Sequence, residues 1–183
     1  ALVLDQLRRR GSCSRSELVA ATGLTRSAIA GLVGELESIG LVVETAPAPD
    51  GRPGRPSPVV KVDDGSVLAL AIEIFVDEIG AAFVALDGSV IASERLARPR
   101  ARVAVAETVA DVVALVGRLH AQLSDASLPR AGRRLVGCGV SVPGLVRELD
   151  GVVVAAPNLG WIDVSLADSL ASALALGVPV TVG

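Results

Sequence analysis

The stretch Ser14-Arg15-Ser16-Glu17-Leu18-Val19-Ala20-Ala21-Thr22-Gly23-Leu24-Thr25-Arg26-Ser27-Ala28-Ile29 spells two helices joined by a tight turn. Ser14 and Glu17 have the spacing of a capping box, in which the hydroxyl accepts from the Glu17 amide and the carboxylate reaches back. A glycine at position 23 admits the left-handed turn that ends the first helix. Leu24 then plugs the turn and Thr25 can cap the second helix. Ile29, Leu32, Val33, Leu36 and Ile39 recur at helical spacing and predict one apolar stripe. The other face offers Arg26, Ser27, Ala30, Gly31 and Gly34, short residues with a single long cation. Such a helix is slim enough for a DNA major groove about 12 Å wide, with Thr25, Arg26 and Ser27 at its leading end. A plain helical hairpin would look similar up to this point. The next residues argue against it: Gly40 stops the helix, residues 41–45 form a short strand, and residues 58–62 can return beside it. A helix-turn-helix followed by a two-stranded hairpin is a winged helix.

Between the two strands lies Gly51-Arg52-Pro53-Gly54-Arg55-Pro56, two tandem Gly-Arg-Pro units. Proline keeps such a tip extended and glycine removes bulk, so Arg52 and Arg55 can point into a narrow minor groove or at phosphates. On its own the same composition would be a solvated linker. Arg8, Arg9, Arg10 and Arg15 are expected as phosphate contacts or solvated charges rather than base readers.

Charge follows this division. Residues 1–62 carry eight basic side chains against six acidic ones, a net +2, and residues 63–183 carry nine against fourteen, a net −5. A mildly basic head on an acidic body fits a nucleic-acid module joined to something else. Half the residues are apolar, almost all Ala, Val, Leu and Ile, and Trp161, Phe75 and Phe83 are the complete set of aromatics. No apolar run has the roughly 18–20 residues of a membrane span, and the opening residues lack signal-peptide order, so the chain reads as soluble and cytoplasmic. Cys13 and Cys138 have no metal-ligand spacing and are expected as reduced structural thiols. His120, the sole histidine, is expected on a polar helix surface, which leaves no His-based catalytic pair or metal site.

From Val67 the pattern changes to extended runs, 67–76, 79–88 and 89–96, that predict an antiparallel meander with Asp87-Gly88 as a hairpin turn. A long amphipathic helix over 103–123, a buried strand at 135–142, an extended piece at 152–156, a helix at 165–176 and a final strand start follow. The order β-β-β-α-β-α-β implies an α/β layer with a mixed sheet. The chain therefore divides into a winged helix-turn-helix domain, 1–62, and an α/β lobe, 63–183. The abrupt end at Gly183 and the absence of an initial Met are expected for a fragment of a longer, here truncated, protein.

Three segments resemble the ROK family of repressors, open reading frames and sugar kinases. They are the head with its Gly-Arg-Pro linker, Gly137-Cys138-Gly139-Val140-Ser141-Val142-Pro143-Gly144, and Gly151-Val152-Val153-Val154-Ala155-Ala156-Pro157-Asn158-Leu159-Gly160-Trp161. The resemblance implies an actin/hexokinase-like (ribonuclease H-like) N-terminal lobe. The family's kinases carry a glycine-rich hairpin for ATP phosphates where this chain has Glu73-Ile74-Phe75-Val76-Asp77, with Phe75 in place of the first glycine. Their catalytic Asn-Asp pair, sugar-binding acids and His/Cys zinc motif fall beyond Gly183. The resemblance thus implies no kinase activity here, no cofactor in this chain, and zinc only in a missing C-terminal part. It places Gly144 and Asn158 at the border of a sugar pocket; Asn158 could equally cap a turn before the 165–176 helix. Trp161 is expected in core or lobe packing, and Leu145 offers no polar reach to a ligand.

Taken together these features imply a DNA-binding regulator, a repressor of carbohydrate-related genes with a degenerate, non-catalytic sugar-kinase-like effector domain. Its partners would be an operator duplex, a sugar or sugar-phosphate effector, and a second copy in a homodimer or dimer of dimers. A sugar kinase with an N-terminal appendage and a constitutive DNA-binding protein without effector response are the alternatives.

Overall fold

A computed structural model of the chain describes residues 2–45, 58–63, 66–99, 103–125 and 133–183. The chain forms two compact units, Ala1–Val67 with Ala85–Ser89, and Leu68–Val84 with Val90–Gly183.

The first unit begins with α1 (Leu2–Arg10), whose Val3 and Leu7 are buried one turn apart and whose last turn carries Arg8, Arg9 and Arg10. Basic groups there complement the partial negative charge of the helix C-terminus. Then come β1 (Ser12–Ser14), α2 (Arg15–Thr22), α3 (Arg26–Ser38), β2 (Val42–Thr45) and β3 (Val59–Val62). The expected hairpin is present: Val42 pairs with Val62 and Thr45 with Val59, antiparallel. Sequence pattern missed β1, which pairs with the other edge of β3, Ser12 against Lys61 and Ser14 against Val59. Three residues are too few to display a period of two. The core joins Val3, Leu7, Cys13, Leu18, Ile29, Val33, Val42, Val60 and Val62 from all these elements. One correction concerns the α3 stripe. Ile29 and Val33 are fully buried, Leu36 is half-buried, but Leu32 is 38% and Ile39 55% exposed. A short helix against a three-stranded sheet needs only a narrow stripe, so the flanking apolar positions stay in solvent.

The second unit holds all but the first residue of β4 (Val67–Ile74), all but the last of β5 (Glu78–Ala85), and β6 (Val90–Ala97), α4 (Val105–Asp125), β7 (Arg134–Ser141), β8 (Leu145–Arg147), β9 (Val152–Ala156), β10 (Trp161–Ser165), α5 (Leu166–Leu174) and β11 (Val180–Val182). Five strands form one sheet in the order β11-β7-β4-β5-β6. It is mixed, as expected: β11 runs parallel to β7 and β5 antiparallel to β6. The Asp87-Gly88 turn is also present, with Gly88 at φ 94° and the Asp87 carboxylate accepting from the Ser89 amide at 2.8 Å. Along β4, Leu68, Leu70, Ile72 and Ile74 are buried, and α4 presents Val112, Leu115, Val116 and Leu119 as its buried stripe.

The five strands of this sheet are those of the expected order, and residues 152–156, expected as an extended piece, stand apart from it. They are not a strand of the main sheet but the centre of a second, antiparallel sheet, β10-β9-β8. Its outer strands escaped notice because each is broken. A register shift separates Leu145 from Val146, and Asp163 interrupts β10 with φ 48°. Both irregularities scramble the alternation that marks a strand.

Cys13 and Cys138 are free and each 2% exposed. Burial raises both thiols, Cys138 to about 11. Because the thiolate is the reactive form, neither cysteine is expected to react with a disulfide reagent at about pH 8. Both should titrate once denaturant is added, which a colorimetric thiol count checks.

Candidate nucleic-acid interface and effector cleft

Ser14 caps α2 as the sequence requires. Its hydroxyl accepts from the Glu17 amide at 3.2 Å, and the Glu17 carboxylate accepts from the Ser14 amide at 2.7 Å. The backbone bond from Ser14, more than its side-chain bond, holds the Glu17 carboxyl below its ordinary pKa. Ser14→Ala should therefore cost about 1 kcal/mol. A depressed carboxylate stabilises above its unfolded pKa of about 4.3 and loses that contribution as pH falls through the lower folded value. Melting curves from pH 6 downward should show this acid-side loss in the native chain and a flatter profile in Glu17→Gln.

Gly23 ends α2 at φ 72°, and a Cβ there would meet nothing within 4 Å, so glycine is needed for conformation rather than space. Thr25 caps α3 by accepting from the Ala28 amide at 3.3 Å, and its hydroxyl lies 3.1 Å from that of Ser27. Thr25, Arg26 and Ser27 are all exposed at the leading end of α3. On the same helix Gly31 and Gly34 are exposed and face open space. The leading end of the helix thus presents two hydroxyls and one guanidinium, followed by glycines, a shape a major groove admits. Arg15 is placed differently from a free phosphate contact. Its Nε lies 2.6 Å from Glu44 Oε1, and its Nη2 donates to Glu44 Oε2 at 3.1 Å, bracing α2 against β2. Arg9 is likewise paired, with Asp5 one turn away at 3.2 Å. Arg8 and Arg10 are exposed. Arg52 and Arg55 lie outside the described residues.

In the second unit, a cleft of about 480 Å³ is lined by Phe75, Val76, Asp77, Pro143 and Asn158. The β4–β5 turn supplies the first three; its Phe75 amide donates to the Glu78 carbonyl at 2.8 Å. Asn158 is exposed in the β9–β10 turn, where the Leu159 amide donates to the Ala156 carbonyl at 3.0 Å. β10 separates this turn from α5, whose cap residue is Ser165. Gly144 has a packing reason. A Cβ there would sit 2.6 Å from the Ala155 carbonyl oxygen and 2.9 Å from the Ala156 Cβ. Trp161 is 4% exposed and its indole Nε1 donates to the Val103 carbonyl at 3.1 Å, so it packs the lobe.

Arg98 was not singled out by sequence. Its side chain is 5% exposed; Nη1 donates to Thr108 at 2.9 Å and Nη2 to the Phe75 carbonyl at 3.1 Å, while Asp111 stands 3.9 Å away. Its backbone amide also donates to the Asp77 carbonyl at 2.7 Å. Arg98 thus holds the turn that bears Phe75 to the first turns of α4. In sequence it is one arginine among Arg95, Arg100 and Arg102, and nothing in that run distinguishes it. No cluster of metal-ligating side chains occurs among the described residues, and no helix among them is long and apolar enough to cross a membrane.

The geometry defines a winged helix-turn-helix followed by a lobe of the actin/hexokinase type. Residues 69–183 match the model of the ROK family and residues 1–53 that of the MarR family. The chain belongs to the ROK family. It is 24% identical over 169 residues to the xylose repressor of Bacillus subtilis, covering 92% of this chain and 42% of the relative. It is 28% identical over 166 residues to the xylose repressor of Caldicellulosiruptor bescii, covering 90% and 40%. The chain thus spans about two-fifths of the length of these curated relatives. Among solved structures it is similar to a ROK family transcriptional regulator, a homologue of the Escherichia coli MLC protein, with TM-score 0.70, 19% identity and coverage of 99% and 43%. A ROK family glucokinase from Streptomyces griseus, in complex with glucose and AMPPNP, matches with TM-score 0.50 and 23% identity over 63% of this chain and 32% of its own.

Proposed function

We propose that this chain carries the DNA-binding domain, 1–62, and the first part of the effector-sensing domain, from 63, of a sugar-responsive transcriptional repressor. The observation that carries the proposal is the exposed, capped leading end of α3, with Thr25, Arg26 and Ser27 in solvent and glycines along the same helix. Those three side chains read the major groove; Arg52 and Arg55 at the wing tip reach the minor groove or phosphates. Two heads in a homodimer would engage a pseudo-palindromic operator. The relatives' printed names make xylose the first effector to try, with Gly144 and Asn158 at its site. We assign no phosphoryl transfer to the lobe, because Phe75 stands where a bare backbone would have to approach phosphates.

Binding to a selected operator duplex, titrated against salt, tests the head. Replacing Arg52 and Arg55 together with Ala should weaken binding on the order of tenfold and flatten the log–log salt slope by about 2. Unchanged affinity and slope would remove the wing tip from the interface, while loss on Arg26→Ala alone would still support the α3 assignment.

A further inference from the structure

We propose, building on the sensor role given to this lobe, that the tip of the β5–β6 hairpin completes the DNA-binding head, and that β5 carries the state of the cleft to it. The first compact unit is not one continuous stretch of chain. Ala1–Val67 is joined in it by Ala85–Ser89, while the residues on either side of that tip belong to the second unit. Leu86 is the physical reason. Hairpin turns favour residues that suit solvent, as Asp87, Gly88 and Ser89 do here, all three exposed. Leu86 is instead half-buried and packs against the head core, which seats α3 through Ile29 and Val33. The Asp87 carboxyl, held below its ordinary pKa chiefly by the Ser89 hydroxyl and amide, is lowered further by the charge of Lys61 on β3.

The tip is built as a firm plug. The Gly88 amide donates to the Ala85 carbonyl and the Ala85 amide to the Ser89 carbonyl, both at 2.9 Å. The Asp87 carboxylate accepts from the Ser89 amide at 2.8 Å and from its hydroxyl at 2.7 Å. A register shift between Phe83 and Val84 bends β5 just before the tip, and such bulges re-aim the segment that follows. The other end of β5 lies at the cleft. The strand begins at Glu78, directly after Phe75, Val76 and Asp77 of the cleft wall, and ends at Ala85. Its eight residues span roughly 25 Å. Paired on both edges, by β4 and β6, it moves as a strut rather than flexing. The turn at its start is gripped by Arg98, which donates to the Phe75 and Asp77 carbonyls. A rigid element with one end in a ligand cleft and the other in the core beneath α3 is a physical route for coupling.

Two measurements on the intact protein test the proposal. In hydrogen exchange, Leu86→Ala should speed the amides of α1, α3 and β3 on the order of tenfold while β7 and β9 keep their native rates. Leu86→Met, which keeps the apolar plug, should leave all of them near native. The second measurement is affinity for a selected operator duplex with and without saturating D-xylose or D-glucose. The change that sugar causes in the native protein should be largely lost in Leu86→Ala and kept in Leu86→Met. Head amides that exchange at native rates in Leu86→Ala would overturn the plug. Equal acceleration of β7 and β9 would overturn its assignment to the head. An undiminished sugar response in Leu86→Ala would overturn the coupling and leave the sensor role standing. A native protein whose operator affinity neither sugar alters would overturn the coupling together with these sugars as effectors, and hydrogen exchange would still decide the plug.

Discussion

Arg98→Ala is expected to destabilise the second unit by about 3–5 kcal/mol, the cost of breaking a buried charged network by removing one partner. The side chain is 5% exposed, and Thr108, which accepts from it at 2.9 Å, is 0% exposed. Truncation leaves that hydroxyl and the Phe75 carbonyl without their guanidinium donor, each costing about 1–3 kcal/mol if water cannot replace it. It also opens a cavity between β6 and α4. Arg98→Lys separates charge from geometry: an ammonium keeps the attraction to Asp111 but cannot span Thr108 and the Phe75 carbonyl with a planar fork. It should lose about half as much as alanine. Trp161, the sole tryptophan and 4% exposed in the same unit, reports the transition, so urea unfolding followed by its fluorescence measures both variants. A loss below about 1 kcal/mol for Arg98→Ala would mean that the buried guanidinium is not a structural clamp.

Gly144→Ala is the second large effect, about 2–3 kcal/mol or more, from overpacking. The added Cβ would lie 2.6 Å from the Ala155 carbonyl oxygen and 2.9 Å from the Ala156 Cβ. The obstacle is backbone in the middle strand of the β10-β9-β8 sheet, which cannot step aside as a flexible side-chain end would. The turn after Pro143 must instead move outward, carrying one wall of the cleft with it. Stability and sugar affinity should therefore fall together, whereas Asn158→Ala, at an exposed turn position, should lower affinity with little change in unfolding midpoint. A Gly144→Ala variant as stable as the native chain would contradict the close approach.

These two positions divide what sequence could show from what it could not. In sequence Gly144 reads as a ligand neighbour within a family-like Pro-Gly turn; its packing role depends on β9, whose nearest approach is eleven residues downstream, at Ala155. Arg98 was invisible, because the burial of one arginine in a run depends on which helix covers it. Phe75 reads in sequence as a replacement for a glycine, and only the tertiary structure places it beside Asn158.

The sequence by itself determined the head and the order of most of the lobe. Capping at Ser14 and Thr25 and the left-handed turn at Gly23 are local features, fixed by hydrogen bonds and backbone sterics within a few residues; the wing strands are legible from their own residues, although they pair 14–20 positions apart. Tertiary structure decided the rest: the third strand of the head, the separate β10-β9-β8 sheet, the engagement of Arg15 by Glu44, the solvent exposure of Leu32 and Ile39, and the cleft. Each of these depends on partners distant in the chain, and burial and pairing across such distances leave no periodicity in a short segment to be read.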